Sequence, residues 1–170
     1  MIRKAFLILV FTIFFLFHLS LYAGQAKVYR VIDGDTVQAL AGASKITIRL
    51  VGIDAPELGR GKRDPGQPFC RQSQKTLAAL VLNQVVEIKS YGLDQYDRTL
   101  AEIFCKNKNI NLEMIRSGMA EVYRGRQPKG LDIQSYRDLE QQAQAVKIGI
   151  WSLGSEYQSP KEWRKEKRAQ

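Results

Sequence analysis

The chain has 170 residues, 45% hydrophobic and 25% charged, with 13 Gly, 5 Pro and a net charge of +9. This composition suits one globular domain and excludes a disordered, collagen-like or multi-pass membrane protein. The sole histidine, His18, lies in an apolar leader, so Ser-His-Asp and Cys-His nucleophiles, histidine-based ribonuclease chemistry and His-ligated zinc are excluded from the rest of the chain.

Residues 1–23 join a short basic start (Arg3, Lys4) to an apolar run from Ala5 to Phe17, followed by small residues at Ala23, Gly24 and Ala26. That is the layout of a secretory signal peptide cut near Ala23 or Ala26. The alternative is an uncleaved N-terminal membrane anchor, because Ala5 to Ala23 is just long enough to cross a bilayer. No Cys follows the run, which argues against a lipid-anchored protein. Either way the remainder is expected to be secreted, periplasmic, or membrane-anchored facing away from the cytoplasm. With Arg3 and Lys4 set aside, that remainder keeps +7, which favours a polyanionic partner such as nucleic acid, acidic polysaccharide or anionic lipid.

After the leader, Val28 to Ile32, Thr36 to Leu40 and Ile46 to Val51 read as strands separated by Asp-Gly and Ala-Gly-Ala turns. In the third, Ile46, Ile48 and Leu50 alternate with Thr47 and Arg49, which puts Arg49 on the face opposite the apolar set. Residues 58–68 form a polar, basic, Gly/Pro-rich loop. The spacing of Phe69, Ser73, Leu77, Leu80 and Val81 predicts a helix from about Phe69 to Leu82. Val85 to Lys89 and Thr99 to Cys105 read as two more strands. A helix from about Ile110 to Ser117 is capped by Asn109 and stopped by Gly118, and another runs from about Ile133 to Val146. The residues after Pro160 make a basic end with helical potential. Five strands interleaved with about three helices predict an α+β fold, a small closed β-barrel with helices packed around it. Residues 24–155 would form the domain and 156–170 a basic C-terminal tail. Cys70 and Cys105 can pair in an oxidising compartment, closing a loop of about 35 residues, or remain two separate buried thiols.

Two acidic clusters carry the chemistry. Asp33-Gly34-Asp35-Thr36 lies between the first two strands, and Asp54-Ala55-Pro56-Glu57 lies just beyond the third. Alone, the first reads as a hairpin turn and the second as an ordinary strand end. Together they could converge on one hard cation, and oxygen donors without His or Cys favour Ca²⁺, Mg²⁺ or Mn²⁺ over zinc. Arg49 and Arg98, judged by position alone, would form surface salt bridges. There is no EF-hand loop and no Walker loop.

Five segments in order, V-I-D-G-D-T-V (31–37), I-R-L-V-G-I-D-A-P-E (48–57), D-Q-Y-D-R-T-L-A (94–101), N-L-E-M-I-R-S-G-M-A (111–120) and G-I-W-S (149–152), closely resemble the staphylococcal nuclease family. The resemblance covers about Lys27 to Leu153. It implies an OB-fold core and a secreted, calcium-dependent endonuclease that cuts DNA and RNA with little sequence preference and leaves 3′-phosphate ends. It further implies that Asp35 and Asp54 ligate calcium through their side chains and Ala55, where family members often have Thr, through its carbonyl. Glu57 matches the family's general base, and Arg49 and Arg98 match the arginines that grip the scissile phosphate. Tyr123 matches a tyrosine packed near the substrate nucleotide, although Glu121 stands where some members carry a second aromatic residue. The basic loop, with Arg60, Lys62 and Arg63, and the tail, with Lys161, Arg164, Lys165, Lys167 and Arg168, would either attract the phosphate backbone or be a solvated loop and a frayed end. Trp151 and Trp163 read as packing residues. A monomer is expected. The rival readings are a non-catalytic OB-fold module for single-stranded nucleic acid and a binder of anionic membranes or polysaccharides.

Overall fold

The structure, a computed structural model, describes residues 24–59, 61 and 63–169. The leader expected at 1–23 and the loop residues Arg60 and Lys62 lie outside the described residues. Three long strands open the domain: β1 (Gln25–Val31), β2 (Thr36–Ala41) and β3 (Ser44–Leu50). They are followed by β4 (Ile53–Asp54), α1 (Cys70–Val81), β5 (Val85–Leu93) and β6 (Thr99–Cys105). Then come β7 (Lys108–Asn109), α2 (Ile110–Arg116), β8 (Glu121–Val122) and α3 (Ile133–Ala145). A 3₁₀ segment (Gly149–Glu156) and α4 (Pro160–Ala169) complete the described residues.

The strands lie in the order β3-β2-β1-β5-β6, and β3 pairs in parallel with β6 to close the ring. The closing register is Ile48 with Thr99, Arg49 with Leu100 and Leu50 with Ala101. Closure leaves these five strands without a free edge. Alternate residues fill the interior: Val28, Val37, Ala39, Ile48, Val86, Ala101 and Ile103 are buried. The five-stranded α+β barrel predicted from periodicity is thus the architecture found. Strand β5 runs past its expected end at Lys89 to Leu93 through an irregularity between Ser90 and Leu93. Helix α1 begins at Cys70, because Phe69 takes a left-handed conformation with φ 67° and cannot be its first helical residue.

The two cysteines are both buried and free. The bridge the sequence allowed between Cys70 and Cys105 is not formed: Cys70 opens α1 with its thiol 3.7 Å from the Pro65 carbonyl, whereas Cys105 ends β6 beside β7. The basic C-terminal segment is docked on the domain. The Gln67 amide donates to Gln158 O at 2.7 Å, and Lys167 pairs with Asp64 at 2.9 Å. Among the described residues no helix is long and apolar enough to cross a membrane.

Two buried polar side chains tie the helices to the barrel. The Asn111 amide donates to Val51 O at 2.8 Å and to Ala101 O at 3.1 Å, and its carbonyl accepts from Ile103 N. This pins α2 to the end of β3, beside the second acidic cluster. Glu102 on β6 accepts from Lys89, Tyr91, Asn109 and Tyr136 at 2.6–3.0 Å. Burial alone would raise its pKa, but the four donors outweigh burial and hold the carboxyl below its usual range. A carboxylate with a depressed folded-state pKa contributes stability above its unfolded pKa and loses it as the pH falls through the folded value. Glu102→Gln is therefore expected to lower stability at pH 7 by about 2–3 kcal/mol, measured by urea unfolding. The gap should close in acid, below the ordinary value of 4.5. A gap unchanged by acid would show that the charge on Glu102 contributes nothing.

Candidate active site

One end of the β2–β3 hairpin gathers the acidic residues. Asp35 immediately precedes β2, and the register pairs Thr36 with Arg49 across the hairpin. The Asp35 carbonyl accepts from Leu50 N at 2.8 Å. Its carboxylate accepts from Thr36 Oγ1 through Oδ1 and from Ala55 N through Oδ2, both at 2.9 Å. The latter bond joins the two acidic clusters that the sequence keeps 20 residues apart.

Gly34 permits that approach. A Cβ there would lie 2.0 Å from Ser73 Oγ on α1 and 2.6 Å from the Ala55 side chain. Gly52, with φ 78°, turns the chain after β3 so that Ile53 and Asp54 pair with Val122 and Glu121 of β8. Asp54 is thereby held 98% buried at the floor of the site. Asp33 braces the Asp35 backbone and acts by charge on Arg49. Its carboxyl accepts from Asp35 N at 3.0 Å, and burial, with the charge of Asp35, pushes it up to about 7.

Two guanidinium groups occupy the space between the carboxylates. Arg49 Nη1 lies 2.5 Å from Asp35 Oδ2, a charge contact without aligned hydrogen-bond geometry, and Nη2 lies 3.3 Å from Asp54 Oδ1. Arg164, from α4, donates through Nη1 to Asp54 Oδ1 at 2.9 Å and to Glu57 Oε1 at 2.6 Å, and through Nη2 to Asp54 Oδ2 at 2.7 Å. Both oxygens of Asp54 are thus engaged. Glu57 is held at its backbone, where its N–H donates to Gln67 Oε1 and its carbonyl accepts from Gln67 N.

The structure therefore brings together Asp35, Arg49, Asp54, Ala55 and Glu57, all singled out in the sequence. It does not bring Arg98 into that contact network. Arg98 precedes β6, one residue before the partner of Ile48, and its guanidinium pairs with Asp94 at 2.7 Å and lies over Tyr96. Tyr123 is half exposed beside the cluster, lining a cleft that α4 also borders. Nearby, Glu121 is buried and pushed up to about 7, chiefly by burial, despite the hydroxyl that Tyr157 donates to it. Trp151 packs on Tyr157 with ring centroids 4.7 Å apart.

Arg164 is the residue of this cluster that the sequence does not single out, since it reads there as one of several tail cations. A signal was present: Ser159-Pro160-Lys161-Glu162 is a capping box with Pro at the first helical position. The structure shows its reciprocal bonds, Ser159 N and Oγ to Glu162 at 3.1 and 2.9 Å, and Glu162 N to Ser159 Oγ at 3.2 Å.

Could these residues hold a metal? Among the described residues no group of three or more His, Cys, Asp or Glu is arranged for one. The donor chemistry nevertheless fits a hard cation, since two buried carboxylates and the adjacent Ala55 carbonyl are all oxygen and already hold positive charge. Such an ion and Arg164 would compete for the same Asp54 oxygens.

Comparison with known proteins bears on this geometry. The sequence profile of the family described as staphylococcal nuclease homologue matches residues 47–153. An uncharacterized endonuclease of Haemophilus influenzae is 35% identical over 163 residues, covering 95% of this chain and 84% of that protein. A micrococcal nuclease of Shigella flexneri is 33% identical, covering 83% of this chain and 80% of its own length. The probable endonuclease LCL3 of Phaeosphaeria nodorum is 34% identical over 127 residues, and the chain spans 43% of that longer protein.

Proposed function

The chain belongs to the staphylococcal nuclease family and is a nuclease, and from that premise we propose an exported, calcium-dependent endonuclease that cuts DNA and RNA with little sequence preference and leaves 3′-phosphate ends. The observation that carries this reading is the single charge network in which Arg49 and Arg164 join Asp35, Asp54 and Glu57. Export is supported by the leader at 1–23. The reading takes the enzyme to act as a monomer.

Asp35, Asp54 and the Ala55 carbonyl are the residues that would hold calcium. When bound, the ion would supply positive charge against the phosphate. The remaining work falls to the side chains. Arg49 offers a fixed fork of donors to the equatorial oxygens, where negative charge grows as water attacks phosphorus. Glu57 takes the proton from that water as the water oxygen bonds to phosphorus and the P–O5′ bond breaks. This leaves the phosphate on the 3′ side and a departing 5′ oxygen that takes a proton from solvent. With no histidine after residue 18, a carboxylate is the available base, and Glu57 is free to act once Arg164 releases its Oε1. The end-group claim is tested by treating the cut DNA with a polymerase. Fragments should extend only after a phosphatase removes the 3′-phosphate, and direct extension would contradict it.

The competition at Asp54 gives a second expected result. Arg164→Ala should bind Ca²⁺ at least about fivefold more tightly than the wild type, measured by isothermal titration calorimetry without nucleic acid. Equal or weaker affinity would show that the guanidinium and the cation do not share a site.

A further inference from the structure

Helix α4 has more built into it than an end-cap requires. It starts with a complete capping box, and Pro160 is buried. Lys167, on its far side, is tied to Asp64. The opposite side carries Lys161, Arg164, Lys165 and Arg168, spaced as one helical face, and all four line an open cleft of about 1000 Å³. Like charges at i, i+4 weaken a helix, so helix stability does not explain the Lys161–Lys165 pair, whereas Arg168, in the last turn, also suits the helix dipole. Two of the nearby acidic side chains hydrogen-bond elsewhere, although Glu162 still acts by charge on Lys161 and Lys165 and the buried Glu121 also lines the cleft. Glu162 closes the capping box, and Glu140 pairs with Arg124 at 2.8 Å on the other wall. Lys161, Lys165 and Arg168 are exposed and carry no salt bridge among the described residues. The fourth cation, Arg164, leads from this face to Asp54 and Glu57. Across the cleft stands the half-exposed ring of Tyr123.

A row of solvent-exposed cations facing an aromatic ring is the pairing that binds single-stranded nucleic acid, with phosphates on the cations and bases stacked on the ring. Duplex bases are unavailable for such stacking. We propose that this cleft is a groove for one strand of nucleic acid, its phosphates held by Lys161, Lys165 and Arg168, and that Arg164 positions the strand at the carboxylate cluster. The inference rests on the nuclease reading for what happens at the groove's inner end, but the binding it describes is measurable without cleavage.

The test uses the purified protein in chelator, with a fluorescent oligothymidine strand and anisotropy as the readout. The triple variant Lys161→Ala, Lys165→Ala, Arg168→Ala should bind about tenfold or more weakly, and its log–log salt slope should fall by about 2, near 0.7 per lost contact. Swapping the same positions to Arg, Arg and Lys should restore binding, and unchanged thermal unfolding shows that the variants fold. Hydrolysis of a chromogenic thymidine phosphodiester by the wild type reports the carboxylate cluster separately from strand binding. Unchanged strand affinity and slope would overturn the groove, as would a duplex bound as tightly as the single strand and equally weakened by the substitutions. Failure of the wild type to hydrolyse any diester would instead remove the nuclease reading and leave the binding result standing.

Discussion

Glu57→Gln is expected to slow DNA cleavage by about 10²–10⁴-fold, the usual contribution of a positioned general base, while leaving strand affinity in chelator unchanged. The size of the effect follows from what the substitution keeps. Gln has the shape of Glu, and the braces on residue 57, its N–H to Gln67 and its carbonyl from Gln67, are backbone bonds that survive. A Gln carbonyl can also still accept from Arg164. What is lost is the ability to take a proton from water, and no histidine stands nearby to replace it. The comparison needs kcat and KM measured separately, because loss of a base lowers kcat and leaves ground-state binding alone. A Gln variant that cleaves as fast as the wild type would remove Glu57 from the chemistry.

Arg49→Lys is expected to lower kcat by about 10²–10³-fold, the cost of losing one pre-aimed donor to the transition state. Lysine separates two roles that Arg49 combines. In the resting structure Arg49 holds Asp35 and Asp54 together, and its removal to Ala would leave two buried carboxylates short of a cation, a change that is strongly destabilising. Lysine keeps the charge but not the planar fork that matches phosphate oxygens. The Lys variant should therefore stay folded, with little change in Tm, and lose turnover. Retention of more than about a tenth of wild-type kcat would assign the phosphate contact to another group, with Arg98 the first to test.

How much of this was legible in the sequence depends on the range over which each feature is set. The five barrel strands were readable because their periodicity is local and the barrel buries one face of each. Asn109 as helix cap and Gly118 as stop were readable for the same reason, and both act as expected, Asn109 accepting from Leu112 N and Gly118 adopting φ 64°. Strands β4 and β8 were not, since two residues show no alternation, yet their pairing is what seats Asp54. Asp33-Gly34-Asp35 read as a turn signal. The glycine is there because Ser73 and Ala55, distant in sequence, pack against it. Arg164 was the hardest residue to place: its partners lie 107 and 110 positions earlier, and no local pattern encodes that contact. The capping box could have called the helix, but not where its arginine points.

The most direct test of the central claim is cleavage of labelled single-stranded DNA and RNA by the purified protein in Ca²⁺, in Mg²⁺ and in chelator. Cutting of both nucleic acids that requires Ca²⁺ and stops in chelator is the predicted result, tying the reaction to Asp35, Asp54 and Glu57. Tight strand binding with no cutting in any condition would contradict it and leave an OB-fold that holds nucleic acid without hydrolysing it.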